Sequence, residues 1–163
     1  MTCVSEPRWV VLGVTAVFTF VGLSGNAQET QAKTAQPSAH RFAQTLVDKT
    51  LAAHPESDEI GIAVPSGRRC TVVASSDKSD VGETCEADDS APIRTGKPHV
   101  GKEGGEFDVA VPLHDKTGAP VGAVTVRFKK ANGQVNASVT SAAVAIADEL
   151  AGQIPSKAAL LGR

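Results

Sequence analysis

The chain has 163 residues, of which 41% are apolar and 21% charged, with a formal charge of −2. Basic and acidic side chains are interspersed, so no basic stripe marks a nucleic-acid surface. The length suits one domain with a real core. The 4% aromatic content, with no Tyr and a single Trp at position 9, argues against an aromatic cage as a binding site.

Trp9 to Leu23 form a nearly unbroken apolar run of about 15 residues, short of the roughly 20 that span a bilayer core. Arg8 precedes it and Ser24-Gly25-Asn26-Ala27 follows it. That order of charge, apolar run and small residues is the pattern of a secretory signal peptide cut after Ala27; the competing reading is an uncleaved anchor. The expected division is a signal peptide over 1–27, a disordered linker over 28–37, a domain over 38–155 and a tail over 156–163. The expected location is periplasmic or secreted. Cys70 and Cys85 then form an even pair in an oxidising compartment. A structural disulfide is the favoured reading. Two free thiols or a redox site are the alternatives, although the spacing is not CxxC.

A helix is expected from Ser38 to Ala53, capped by Ser38 and stopped by His54-Pro55, with Phe42, Leu46, Val47 and Leu51 as its apolar arc. Glu59 to Val64 and Cys70 to Ser75 alternate as strands around a Ser66-Gly67 turn. Asp77 to Ala91 reads as a long acidic loop with room for one helical turn, and loops of that length in compact domains are often functional; this loop and Ile93 to Gly101 are the expected cover of any pocket. A short strand lies near His99 and Val100, followed by a glycine turn in KEGGE. Phe107 to Leu113 and Pro120 to Lys129 form a hairpin across Asp115 to Gly118. A last helix, Asn136 to Gln153, places Val139, Ile146, Leu150 and Ile154 on one face. The order predicts an α+β domain, an antiparallel sheet with packed helices.

Specific segments carry a resemblance. LVDKTLAAHPE, EIGIAVPSGRRCTVVASSDKSDVGETC, IRTGKP and FDVAVPLHDKTGAPVGAVTVRF, within about residues 40–130, resemble the PAS-like domains of the single Cache type. The resemblance implies a five-stranded antiparallel sheet with N- and C-terminal helices. It also implies a small-molecule pocket on the sheet face away from the N-terminal helix. Members of that family usually sit between two membrane spans of a receptor. No second span and no output domain is found here, so a stand-alone module acting through a partner is expected.

Alternation separates the two sheet faces. Ile60, Ile62, Phe107, Val109, Val111, Val124, Val126 and Phe128 should face helices; Gly61, Ala63, Asp108, Ala110, Thr125 and Arg127 should face a pocket. Asp108, Arg127 and Thr125 are the candidate ligand-binding residues on the sheet, with Arg94 and His99 reaching an anionic ligand from above. The competing reading makes Asp108 and Arg127 an ordinary cross-strand ion pair. His40, His54, His99 and His114 show no metal-ligand spacing. No nucleophile elbow, zinc-protease motif or phosphate loop occurs. The expectation is therefore no enzyme, no cofactor and no metal. The function expected is sensing of a small molecule, with signalling through a partner protein. The alternative is a ligand-free accessory of a membrane receptor or transporter, docking through its sheet, its last helix or the tail at Ala158 to Leu161. A homodimer is a further expected arrangement.

Overall fold

The computed structural model describes residues 40–103, 105–129 and 136–163. The signal segment, the linker and the Ser38 cap lie outside the described residues. The elements are α1 (Arg41–Ala53), β1 (Ser57–Ser66), β2 (Arg69–Ser75), α2 (Ala87–Thr95), β3 (His99–Glu103), β4 (Glu106–His114), β5 (Pro120–Phe128), α3 (Asn136–Gln153) and α4 (Lys157–Leu160). The five strands form one antiparallel sheet in the order β2-β1-β5-β4-β3. This is the α+β architecture that the alternating pattern implied.

One face of the sheet carries the bulky set. Ile60, Ile62, Val109, Val111, Val124, Val126 and Phe128 are all buried with Leu46 and Val47 of α1 and Ile146 and Leu150 of α3 in one core. The buried face of α1 is turned from the expected arc: Ala43, Leu46, Val47 and Thr50 point inward, while Phe42 is 37% exposed. Positions 43, 46, 47 and 50 are helical neighbours, and small Ala43 lets the helix sit close to the sheet. Leu160 of α4 is also fully buried, and the Leu160 carbonyl meets His40 Nδ1 at 3.1 Å. The stretch expected to be a tail thus packs on its own domain, so Leu160 is not free to dock elsewhere.

Gly122 of β5 shows how closely the central strands approach. A Cβ built there would overlap the carbonyl oxygen of Ala63 on β1 and stand 3.3 Å from Val64 Cα. Only glycine fits that crossing.

The expected long loop turns helical at Ala87, and the helix runs past its expected end to Thr95. Glu86 stands at the N-cap position of α2 without a side-chain capping bond, Asp88 and Asp89 lie in its first turn, and Gly96 ends it in the left-handed region at φ 66°. Acidic residues at a helix start complement its dipole, and glycine is the usual terminator. Pro92 lies inside α2. Residues 82–85, in the middle of that stretch, run beside the outer edge of β2. Val72 N–H donates to the Glu83 carbonyl (3.0 Å), Gly82 N–H to the Val72 carbonyl (2.8 Å) and Cys85 N–H to the Cys70 carbonyl (3.2 Å). Cys70 and Cys85 are joined by a disulfide there. Among the described residues, no helix is long and apolar enough to cross a membrane.

Candidate functional site

A cavity of about 150 Å³ lies on the sheet face opposite α1 and α3. Its floor is the small-residue set: Gly61 and Ala63 of β1, Thr125 and Arg127 of β5 and Asp108 of β4. These residues are there because alternation sends the large side chains to the other face. Its walls are Asp80, Glu83, Thr84, Cys85 and Glu86 from the segment beyond β2, with Asp89 from α2.

The polar groups are tied together. Arg127 Nη1 donates to Glu59 Oε2 at 2.6 Å, and Nη2 donates to Asp108 Oδ2 at 3.5 Å. The ion pair between Asp108 and Arg127 therefore exists, and it lies in the cavity floor with Glu59 as a stronger third member. Thr125 Oγ1 donates to Asp89 Oδ1 at 2.8 Å, which fastens α2 to β5. Ser75, almost fully buried, donates from its hydroxyl to Asp80 Oδ2 at 3.3 Å and accepts from the Asp77 amide.

Charge in the lining is one-sided. Glu59, Asp80, Glu83, Glu86, Asp89 and Asp108 face a single guanidinium, Arg127. Burial pushes the Glu59 carboxyl up to about 7; the neighbouring Asp80 and Asp108 add to the rise, and Arg127 opposes it. A carboxyl only 2.6 Å from an arginine would ordinarily stay low. Here Arg127 is shared with Asp108, so its pull is divided while the desolvation of Glu59 is not.

Two of the expected ligand residues are elsewhere. Arg94, on the exposed side of α2, donates to Ser90 Oγ, and His99 Nε2 pairs with Asp88 Oδ1 at 3.2 Å at the β3 edge. Neither lines the cavity. Residues not singled out from sequence also line it, among them Glu59, Asp80, Glu83, Glu86 and Asp89. Glu59 was within reach, since it shares the face of Gly61 two residues on. Asp80 and Asp89 come from segments whose path alternation does not define.

A wider groove of about 590 Å³ runs between α1 and β2, lined by residues such as Gln44, Asp48, Thr71 and Val81. Its polar groups are occupied by one another: Gln44 donates to Asp48 and to the Ser75 carbonyl, and Lys78 pairs with Asp48 at 2.9 Å. It offers few convergent groups, and the smaller cavity is the better candidate. Among the described residues, no group of three or more His, Cys, Asp or Glu side chains is arranged to hold a metal ion.

No family model and no curated protein matches the chain. Solved structures share its fold. An A. aeolicus GAF domain in an inactive state superposes with a TM-score of 0.52 at 15% identity, covering 68% of this chain and 82% of that one. The GAF domain of an Acinetobacter phosphoenolpyruvate-protein phosphotransferase gives 0.50 at 17% identity, covering 72% and 82%. A transcriptional regulator from a Rhodococcus species gives 0.52 at 15%, covering 77% and 71%. The domain has a GAF-like fold. GAF and PAS-like domains share the sheet-and-helix plan, and the cavity described above lies on the sheet face that the PAS-like resemblance pointed to.

Proposed function

We propose that this GAF-like domain is an extracytoplasmic sensor of the PAS-like, Cache-related kind. It binds a small molecule in the sheet cavity and signals through a partner protein, without catalysing a reaction. The observation that carries this reading is the cavity itself. It pairs a floor of glycine, alanine and threonine with convergent side chains from four strands, a loop and a helix. Its volume matches the roughly 150 Å³ that accepts a benzene-sized molecule in an engineered protein core.

The charge of the lining favours a cation. An anionic ligand was the expectation from Arg94 and His99, but both lie outside the cavity, and the Arg127 in its floor is held by two carboxylates. The ligand class is a compact amine or amidine of about six heavy atoms. The bridge between Cys70 and Cys85 supports an oxidising compartment.

Native mass spectrometry of the protein purified without denaturation, with a thermal-shift panel of small amines and matched carboxylates, tests the reading. A lost mass that is basic, or stabilisation by amines alone, is expected. Stabilisation by the carboxylates, or no response to either set with no retained mass, would overturn it.

A further inference from the structure

The carboxylates of the cavity are not equivalent. Glu59 and Asp108 share the Arg127 guanidinium, at 2.6 and 3.5 Å. A ligand cation reaching either of them must displace a charge already tethered there, and separating a part-buried ion pair leaves one charge uncompensated. Asp80 accepts from the Ser75 hydroxyl at 3.3 Å and sits on the loop between β2 and α2. Glu83 and Glu86 are exposed, where a single ion pair gains little. Asp89 differs from all of these. It is half-buried in the first turn of α2. Its side chain makes one hydrogen bond among the described residues, to a neutral group: the Thr125 hydroxyl donates to Oδ1 at 2.8 Å. That leaves Oδ2 and a lone pair of Oδ1 as acceptors beside the cavity. The helix carrying them is tied on several sides. The bridge between Cys70 and Cys85 lies just ahead of it, Asp88 pairs with His99 of β3 at 3.2 Å, and Thr125 of β5 holds Asp89 itself. Acceptors on a fastened helix are placed more closely than acceptors on a loop.

We propose that Asp89 is the residue that recognises the cation in this cavity, and that Thr125 is the positioning residue that aims it. The assignment rests on the sensor reading above. The ligand nitrogen donates an N–H to Asp89 Oδ2, a charge-assisted hydrogen bond with no protein cation to displace. The apolar body of the ligand lies over Gly61, the register partner of Thr125, where no side chain fills the floor. Recognition through a hydrogen bond narrows the ligand class. A primary or secondary amine, or an amidine, carries the N–H that Asp89 requires. A quaternary ammonium carries none and is held by aromatic faces in the sites that select it. Among the described residues no aromatic side chain lines the cavity, so quaternary ions are rejected.

Amide chemical-shift titration of the full protein at neutral pH with tert-butylamine, tetramethylammonium and tert-butanol tests this. The three share one shape and differ in charge and in N–H donors. Tert-butylamine should bind at least about tenfold more tightly than either of the others. Asp89→Asn keeps an oxygen for Thr125 but removes the charge. It should weaken tert-butylamine about ten- to a hundredfold and leave tert-butanol unchanged. Asp88→Asn makes the same charge change one residue away, outside the cavity lining, and should stay within about threefold of wild type. Thr125→Val should weaken the amine severalfold, and Thr125→Ser should restore it. Three results would overturn the assignment while the cation reading stands: wild-type amine affinity in Asp89→Asn, loss of binding in Asp80→Asn or Asp108→Asn instead, or tetramethylammonium binding as tightly as tert-butylamine. Amine affinity untouched by Thr125→Val would remove the positioning role. No amine binding to the wild type would end the cation reading itself, and the assignment with it.

Discussion

Gly61→Val separates the cavity from the stability of the sheet. A Cβ at position 61 would stand 3.9 Å from both the Ala74 carbonyl oxygen and Ser75 Oγ, which is ordinary contact. The backbone there is regular strand, paired with Thr125 on one side and Ser75 on the other. Replacing a strand glycine with a β-branched residue removes unfolded-state freedom and fits the pleat, a gain of about 0.5–1 kcal/mol. The two methyl groups beyond Cβ project over the floor. Together the three added carbons take about half of a space that suits roughly six heavy atoms. The variant should unfold in urea at the wild-type midpoint or slightly above it. It should also lose any retained mass in native spectra and any amine-induced thermal shift, with affinity reduced at least about a hundredfold. Full ligand binding by a stably folded Gly61→Val protein would refute the location of the site. An unfolding free energy lowered by more than about 2 kcal/mol would refute the account of space at position 61.

Gly122→Ala should act in the opposite sense. Its Cβ overlaps the Ala63 carbonyl, so β1 and β5 must part by about 1 Å, enough to break one or two buried ladder bonds at about 1–3 kcal/mol each. Urea unfolding should show a loss of about 1–6 kcal/mol, and a loss under about 1 kcal/mol would contradict the close approach. Removing the bridge with Cys70→Ala and Cys85→Ala frees a loop whose ends are 15 residues apart; the chain-entropy model gives about 3 kcal/mol for that length. An unchanged urea midpoint in the double variant would show that the bridge contributes nothing. Stability should also vary with pH through Glu59. Its carboxyl rises from the usual 4.5 to about 7, so its contribution is full below the lower value and lost as pH climbs through the upper one. His54 has the same sign. Burial opposes its charge, but hydrogen bonds to Glu56 and Glu149 outweigh that and hold its pKa above 6.5. The difference between wild type and Glu59→Gln isolates Glu59: the wild-type urea midpoint should fall more steeply between about pH 5 and pH 8, and parallel slopes would refute the shift.

The strands were legible because a period of two leaves few choices. Ile60, Ile62, Val124 and Val126 had to share a face, and Gly61 and Thr125 the other. Helical facing was less legible. Phe42 is more apolar than Ala43, yet Ala43 is the one buried, since proximity to the sheet selects a small residue. The site was half readable for the same reason. Asp108, Thr125 and Arg127 follow from strand parity. Asp80 and Asp89 depend on where a loop and a short helix come to rest, which is fixed by the β2 edge bonds, the bridge and the contact between Thr125 and Asp89. Arg94 and His99 were close in sequence to the right region, but α2 and β3 turn them toward Ser90 and Asp88.

The strand order has a consequence for how the chain reaches this structure. β1 and β5 form the seam at the middle of the sheet, although about 55 residues separate them, and pairings that distant slow folding. A chain emerging from its N-terminus therefore offers β1 and β2 as a hairpin well before β5 exists. The cysteine pair lies wholly within that early part, so oxidation can secure it while the bulky face of β1 is still waiting for a neighbour. The rest, β3 to β5, is a second local meander. Zipping these two halves along Ile60 to Ala63 is the step that makes the core, and until then each half exposes an unpaired strand to its surroundings.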